Sequence, residues 1–148
     1  MHKLLSALAV AGIASTTVLG ITEVSAQSRE VTLHKNPGCQ CCDGYADYLR
    51  QNGFTVTVKP THELSQMSRA AGIPDAFQGC HLSQIDGYVV SGHVPVEAVN
   101  RLLSERLDIA GITLPGMPMG SPGMSGAKTE PFTIYEIGGE APEIYAVE

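Results

Sequence analysis

Val31 to His34 is a short apolar run opening on a β-branched residue, and it predicts a strand. Lys35-Asn36-Pro37-Gly38 is turn chemistry, with Pro and Gly punctuating the chain. Tyr45, Ala46, Tyr48 and Leu49 then recur at helical spacing until Asn52-Gly53, a C-terminal stop. Phe54 to Val58 alternates Phe, Val and Val with Thr, the period of a half-buried strand. Strand, turn, helix and strand in so short a span predict a βαβ unit with parallel strands. Thr61 is placed to cap a second helix with Leu64, Met67 and Ala71 on one face, ending at Gly72 and Ile73-Pro74. Phe77 to Cys80 and Gly87 to Ser91 read as two short strands joined through Gln84-Ile85-Asp86. Pro95 suits the first turn of a third helix, where its missing N–H costs nothing, and Val96, Val99, Leu102 and Leu103 form its apolar stripe. Residues 110–128 are rich in Gly, Pro, Met and Ser with no periodicity, a loop long enough to be functional or disordered. Phe132 to Ile137 and Ile144 to Val147 close the chain as a strand pair around Gly138-Gly139, and no internal repeat is visible.

The order βαβ, helix, ββ, helix predicts an α/β, thioredoxin-like domain: a central mixed sheet flanked by helices, here with a long Met/Gly/Pro-rich loop. In that fold a cysteine motif sits between the first strand and the first helix. A proline opens the third strand beside it, often in the cis form, and Ile73-Pro74 stands in that place.

The first residues do not share this patterning. Met1-His2-Lys3 is a short basic start, Leu4 to Ile21 is apolar or small without charge, and Val24-Ser25-Ala26 has the small-residue spacing of a signal-peptidase site. Residues 1–26 are therefore expected to be a secretory signal peptide, cleaved before Gln27, and residues 27–148 the mature domain. The competing reading is a retained anchor, since the apolar run approaches membrane-spanning length. Many Ala, Gly, Ser and Thr residues and the cleavage-like site count against it. Cleavage removes Lys3 and Glu23, one charge of each sign, so the net charge stays at −6. An acidic, aromatic-poor chain without a basic stripe does not suit nucleic acid, which needs clustered Lys and Arg. After cleavage nothing calls for a membrane.

The candidate chemistry is concentrated in cysteine. Four cysteines in an exported chain would ordinarily be counted as two disulfides, yet three fall within Cys39-Gln40-Cys41-Cys42. Cys39 and Cys42 have C-x-x-C spacing at a helix start, where unpaired N–H groups and the helix dipole favour thiolates for redox exchange or metal binding. Cys41 helps to decide between these uses. Neighbours at a helix start point in different directions, so three such sulfurs are not expected to converge on one tetrahedral ion. They would bridge two or more ions, which suits copper(I) better than zinc.

Cys80-His81 is a second element, expected on the strand after Pro74 and next to the cluster. Singly, Cys80 is ordinarily a small buried hydrophobe and His81 a surface residue; as a pair facing C-x-C-C they favour ligation. The third element is Met117, Met119 and Met124, three thioethers in one loop. Thioethers are soft neutral ligands that select copper(I) over zinc, although the same methionines could simply pack the loop down. His93, at a strand end before a helix, is ordinarily a solvated or satisfied histidine, with a ligand role as the alternative. His34 has a similar, weaker claim, and His62 reads as an ordinary helix-start residue. Asp43 complements the helix dipole. No Ser/His/Asp triad, phosphate loop or paired-carboxylate site is recognisable.

The chain resembles the CopG-like periplasmic metal-binding proteins, a family found beside copper-resistance genes. The resemblance rests on Pro37-Gly38-Cys39-Gln40-Cys41-Cys42, Gly72-Ile73-Pro74, Cys80-His81, Asp86-Gly87-Tyr88, Gly92-His93-Val94-Pro95 and the run Pro115 to Met124. It implies a thioredoxin-like fold, a periplasmic location and copper(I) held by the cysteine motif and neighbouring ligands. The family carries Trp where this chain has Tyr45. The expected function is a periplasmic copper(I)-binding protein of copper homeostasis or resistance, holding more than one ion. Cys39, Cys41, Cys42 and Cys80 are its primary ligands, and His81, His93, Met117, Met119 and Met124 secondary ones. Copper ions, and another periplasmic copper-handling protein, are the expected partners. Two alternatives stay open: a periplasmic thiol–disulfide oxidoreductase using Cys39 and Cys42, with Cys80 as resolving thiol, and a purely structural disulfide domain. Neither Cys41 nor the methionine loop is needed for redox exchange.

Overall fold

The structure, a computed structural model, describes residues 29–148; the expected signal segment and its cleavage point lie outside the described residues. Strand β1 (Glu30–Lys35) buries Val31, Leu33 and Lys35 and turns the residues between them the other way. The Pro37-Gly38 turn leads into helix α1 (Gln40–Gln51), with Cys39 as its extended N-cap. Cys42, Tyr45, Ala46 and Leu49 recur every three or four residues and form the buried face of α1. Gly53, at φ +86°, ends the helix, and the chain enters β2 (Thr55–Pro60), which pairs parallel to β1 with Val31 opposite Val56. The βαβ unit is as expected.

Helix α2 (Leu64–Ala70) follows, preceded by a turn in which the Glu63 N–H donates to Thr61 Oγ1. Its buried residues are Leu64 and Ser68, while Met67 is only half-buried. The segment expected as a strand from Phe77 to Cys80 is different. Asp75–Phe77 is a single 3-10 turn capped by Pro74, and β3 (His81–Ile85) begins only after Cys80. The turn is held locally: Phe77 N–H donates to the Pro74 carbonyl, and the Gln78 amide donates to Asp75. Pro74 therefore opens this turn and not the third strand, and no cis peptide occurs among the described residues. The hairpin to β4 (Tyr88–Ser91) is also tighter than expected. Gln84 and Ile85 belong to β3, and the turn is Asp86-Gly87 alone, both at positive φ, as a primed two-residue hairpin turn requires.

Helix α3 (Val96–Glu105) starts one residue after its N-cap, Pro95. The expected loop from residue 110 contains a short strand, β5 (Gly111–Thr113), parallel to β4. Three residues are too few for periodicity to register; pairing on both sides makes the strand. After the remaining loop, β6 (Thr133–Ile137) and β7 (Ile144–Val147) complete one seven-stranded mixed sheet in the order β2-β1-β3-β4-β5-β6-β7. The fold is thioredoxin-like, with β5 to β7 extending the sheet beyond β4. Side chains of α1 and α3 share one core with Val31, Leu33, Ile85, Val90 and Ile112. Leu64 of α2 packs with Ile73, Leu82 and Ile137 in a smaller cluster. Since β3 alternates, His81, Ser83 and Ile85 face the first layer and Leu82 the second. None of the helices among the described residues is long and apolar enough to cross a membrane.

Candidate metal centre

Three chain segments meet at one end of the sheet: the α1 N-terminus, the start of β3 and the turn after β4. Cys39 and Cys42 form a disulfide with Cα atoms 5.5 Å apart, while Cys41 and Cys80 are free and half-buried. Cys39 Sγ lies 3.4 Å from Cys41 Sγ, Cys42 Sγ 3.5 Å from Cys80 Sγ, and Cys41 Sγ 3.9 Å from Cys80 Sγ. All four sulfurs are within 4.8 Å of one another. The expected divergence of the crowded cysteines is therefore not what the fold produces. Cys39 sits outside the helix in extended backbone, which lets its side chain fold back over the first turn.

Lys35 holds this arrangement from below. Its buried ammonium donates to the Cys39 carbonyl at 2.9 Å and pairs with Asp43 at 2.6 Å. Asp43 thus does more than complement the helix dipole. The role of Lys35 was missed in the sequence, although extending the Val31, Leu33 alternation by two residues would have placed it on the buried face.

Two histidines complete the site. His93 Nε2 lies 3.1 Å from Cys80 Sγ, and its Nδ1–H donates to the Pro122 carbonyl at 2.7 Å. A carbonyl can only accept, so the proton belongs on Nδ1 and the Nε2 lone pair faces Cys80. An imidazole oriented in this way is the usual form of a metal-ligating histidine. His81 is fully buried, with Nδ1 3.5 Å from Cys80 Sγ and Nε2 without a hydrogen-bond partner. The atom of His81 that faces Cys80 is thus Nδ1, and Nε2 points away from the sulfur. Tyr45 stacks on His81 at 4.5 Å, approaches His93 at 5.2 Å, and donates its hydroxyl to the Val94 carbonyl at 2.9 Å.

Burial dominates the proton equilibria. It pushes the Cys80 thiol up to about 12, with the neighbouring Cys41 adding to the shift. It pushes His81 down to about 3, with His93 adding and the Gly92 backbone opposing. His93 is lowered by burial against an upward pull from Pro122. At neutral pH the metal-free centre therefore holds a protonated Cys80 thiol between two neutral imidazoles. A cation would displace the thiol proton and leave a thiolate beside two imidazoles.

The donor atoms form two overlapping groups: Cys39, Cys41, Cys42 and Cys80, and then Cys80, His81 and His93. Tetrahedral bonds of about 2.3 Å to sulfur and 2.0 Å to nitrogen separate S from N by about 3.5 Å and S from S by about 3.8 Å. The sulfur pairs at 3.4, 3.5 and 3.9 Å and the sulfur–nitrogen pairs at 3.1 and 3.5 Å lie within a few tenths of an ångström of these values, whereas Cys39 and Cys42 are bonded to one another. Cys80 belongs to both groups.

Of the remaining candidates, Met117 and Met119 are exposed, at 39% and 58%, and Met124 is half-buried. The loop reaches the centre by backbone: Pro122 takes the His93 hydrogen bond, and Gly123 packs so closely on Gly44 that neither position has room for a Cβ. Pro122 carries no sequence signal for this role, because its carbonyl and not its side chain acts. His34 shares the face of its partner Leu82, on the opposite side of the sheet from the centre, and His62 is exposed.

A family model described as "Protein of unknown function, DUF411" matches residues 77–124, which span Cys80, His81, His93 and the methionine loop. No match was found among curated proteins. Two solved structures are similar. "Copper resistance protein copG- Form 1" is 32% identical with a TM-score of 0.74, covering 83% of this chain and 98% of that one. "Copper resistance protein copG- Form 2" is 32% identical with a TM-score of 0.73, covering 80% of this chain and 97% of that one. With such identity over nearly the whole length of those structures, the chain belongs to the CopG copper resistance protein family.

Proposed function

We propose that this protein is a periplasmic copper(I)-binding protein that contributes to copper homeostasis or resistance and holds more than one ion. The observation that carries the reading is the pair of donor groups hinged on Cys80, four sulfurs and two imidazoles in all. Copper(I) prefers soft donors and low coordination numbers, so six donors exceed what one ion uses. A thiolate shared by both groups is the natural bridge between ions. Cys39 and Cys42 join as ligands once their disulfide is reduced. Met117, Met119 and Met124 supply thioethers at the rim, where copper arrives from or leaves to another periplasmic copper-handling protein. Export by a cleaved N-terminal signal belongs to the same proposal. The deciding experiment is a competition titration of the reduced mature protein against a copper(I) chelator. More than one ion per chain is expected, and a clean one-to-one endpoint would refute the multinuclear part.

The Cys39–Cys42 disulfide favours a second reading, a thiol–disulfide oxidoreductase with Cys80 as resolving thiol. Exchange needs the attacking sulfur roughly in line with the bond that breaks. Cys80 is 3.5 Å from Cys42 but within 4.8 Å of Cys39. With an ordinary S–S bond that limits the attack angle to roughly 120°. Cys80 is thus better placed to share a cation than to open the disulfide.

A further inference from the structure

The two donor groups respond differently to oxidation. Forming the Cys39–Cys42 bond ties up two of the four sulfurs in the first group. The second group, Cys80, His81 and His93, contains neither of them and stays whole. All of its members are positioned in the disulfide form described above. His93 is held by Pro122, His81 is buried beneath Tyr45 with its Nδ1 toward Cys80, and Cys80 is a free thiol between them. Its two sulfur–nitrogen spacings, 3.1 and 3.5 Å, suit a tetrahedral ion with three protein ligands and an open fourth position. One thiolate and two imidazoles form a borderline donor set that suits a divalent first-row ion, whereas the sulfur-rich group is soft.

We infer that the Cys39–Cys42 pair is a redox selector: with the disulfide closed, the centre binds one divalent ion of the zinc type through Cys80, His81 and His93, and reduction restores the copper(I) site. The inference rests on the proposed function and adds regulation of the same centre. The switching step is an ordinary thiol–disulfide exchange. A dithiol reductant gives two electrons and two protons to Cys39 and Cys42 and itself becomes a disulfide; the reverse step uses a disulfide oxidant and yields two thiols.

The test uses the mature, metal-free protein with the disulfide closed, verified by a count of two free thiols per chain. It is titrated with Co²⁺ under anaerobic conditions without reductant. The expected result is a one-to-one endpoint, with a thiolate-to-cobalt charge-transfer band and intense tetrahedral ligand-field bands. Cys80→Ser, close to isosteric, should abolish the charge-transfer band, while Cys41→Ser should keep it. His81→Gln should reduce the ligand-field intensity; if that variant misfolds, the parent titration and the two cysteine variants still decide. Absence of a thiolate band in the disulfide form, or its survival in Cys80→Ser, would overturn the inference. Copper(I) titration of the reduced protein is independent of these results. Copper loading without cobalt binding would sink only the selector, and cobalt binding without copper loading would sink the proposed function and the selector with it, leaving a divalent site alone.

Discussion

Tyr45 offers the sharpest test of how the fold holds the metal centre. The side chain is fully buried, and its hydroxyl donates to the Val94 carbonyl at 2.9 Å, one residue from His93. Its ring stacks on His81 at 4.5 Å. Tyr45→Phe keeps the ring and removes only the hydroxyl. The loss has two parts: a hydrogen bond worth about 1 kcal/mol net, and a carbonyl left without that partner in a dry site, which costs up to about 3 kcal/mol. Relief of the hydroxyl's own desolvation offsets part of this, so the expected destabilisation is about 1.5 kcal/mol. At roughly 3–6 °C per kcal/mol for a domain of this size, Tm should fall by roughly 5–9 °C. Because the stack survives, copper(I) affinity should change little. Tyr45→Leu also removes the ring contact, worth about 0.5–1.5 kcal/mol beyond area, and should lower both stability and affinity. Urea unfolding of the metal-free protein gives the stability, with an unchanged m-value as the check that only stability moved. A Tyr45→Phe change below about 0.5 kcal/mol would mean that water replaces the hydroxyl. A loss of copper affinity as severe as that of Cys80→Ser would mean that the hydroxyl itself acts at the metal, and the positioning role would be refuted.

Cys41→Ser should lower copper loading sharply while leaving mixed-disulfide exchange by Cys39 and Cys42 largely intact; unchanged loading in elemental analysis would remove Cys41 from the ligands and strengthen the oxidoreductase reading. Changing Met117, Met119 and Met124 together to Leu preserves volume, and with two of the three exposed the packing cost should stay below about 1.5 kcal/mol per site. The triple variant should fold but lose preference for copper(I) over zinc in side-by-side affinity measurements, and an unchanged ratio would make the loop a cover only. Gly44→Ala places a methyl group against the Gly123 backbone and should push the loop off the α1 N-terminus, at about 1–3 kcal/mol. Faster proteolysis within residues 114–128 and weaker copper binding are expected, because Pro122 would no longer orient His93.

What the sequence alone determined was whatever local patterning encodes. The spacing of Tyr45, Ala46 and Leu49, the Asn52-Gly53 stop and the alternation from Phe54 to Val58 each specify an element through nearest neighbours in the chain, and the βαβ unit formed as read. The cysteine cluster as the candidate site was equally legible, because cysteines crowded into four residues have few structural uses. Other features were decided only by tertiary structure. The strand expected from Phe77 became a 3-10 turn because Pro74, Asp75 and Gln78 satisfy its backbone locally, and β5 exists because strands lie on either side of it. Lys35 reads as turn with Asn36-Pro37-Gly38, and only the β1 pairing placed it in the strand and beneath Cys39. The convergence of four sulfurs on Cys80 joins residues as much as 41 positions apart, and the Pro122 carbonyl that fixes the His93 tautomer is 29 positions from that histidine. Such contacts depend on where the sheet carries distant segments, and no local periodicity encodes that distance in space.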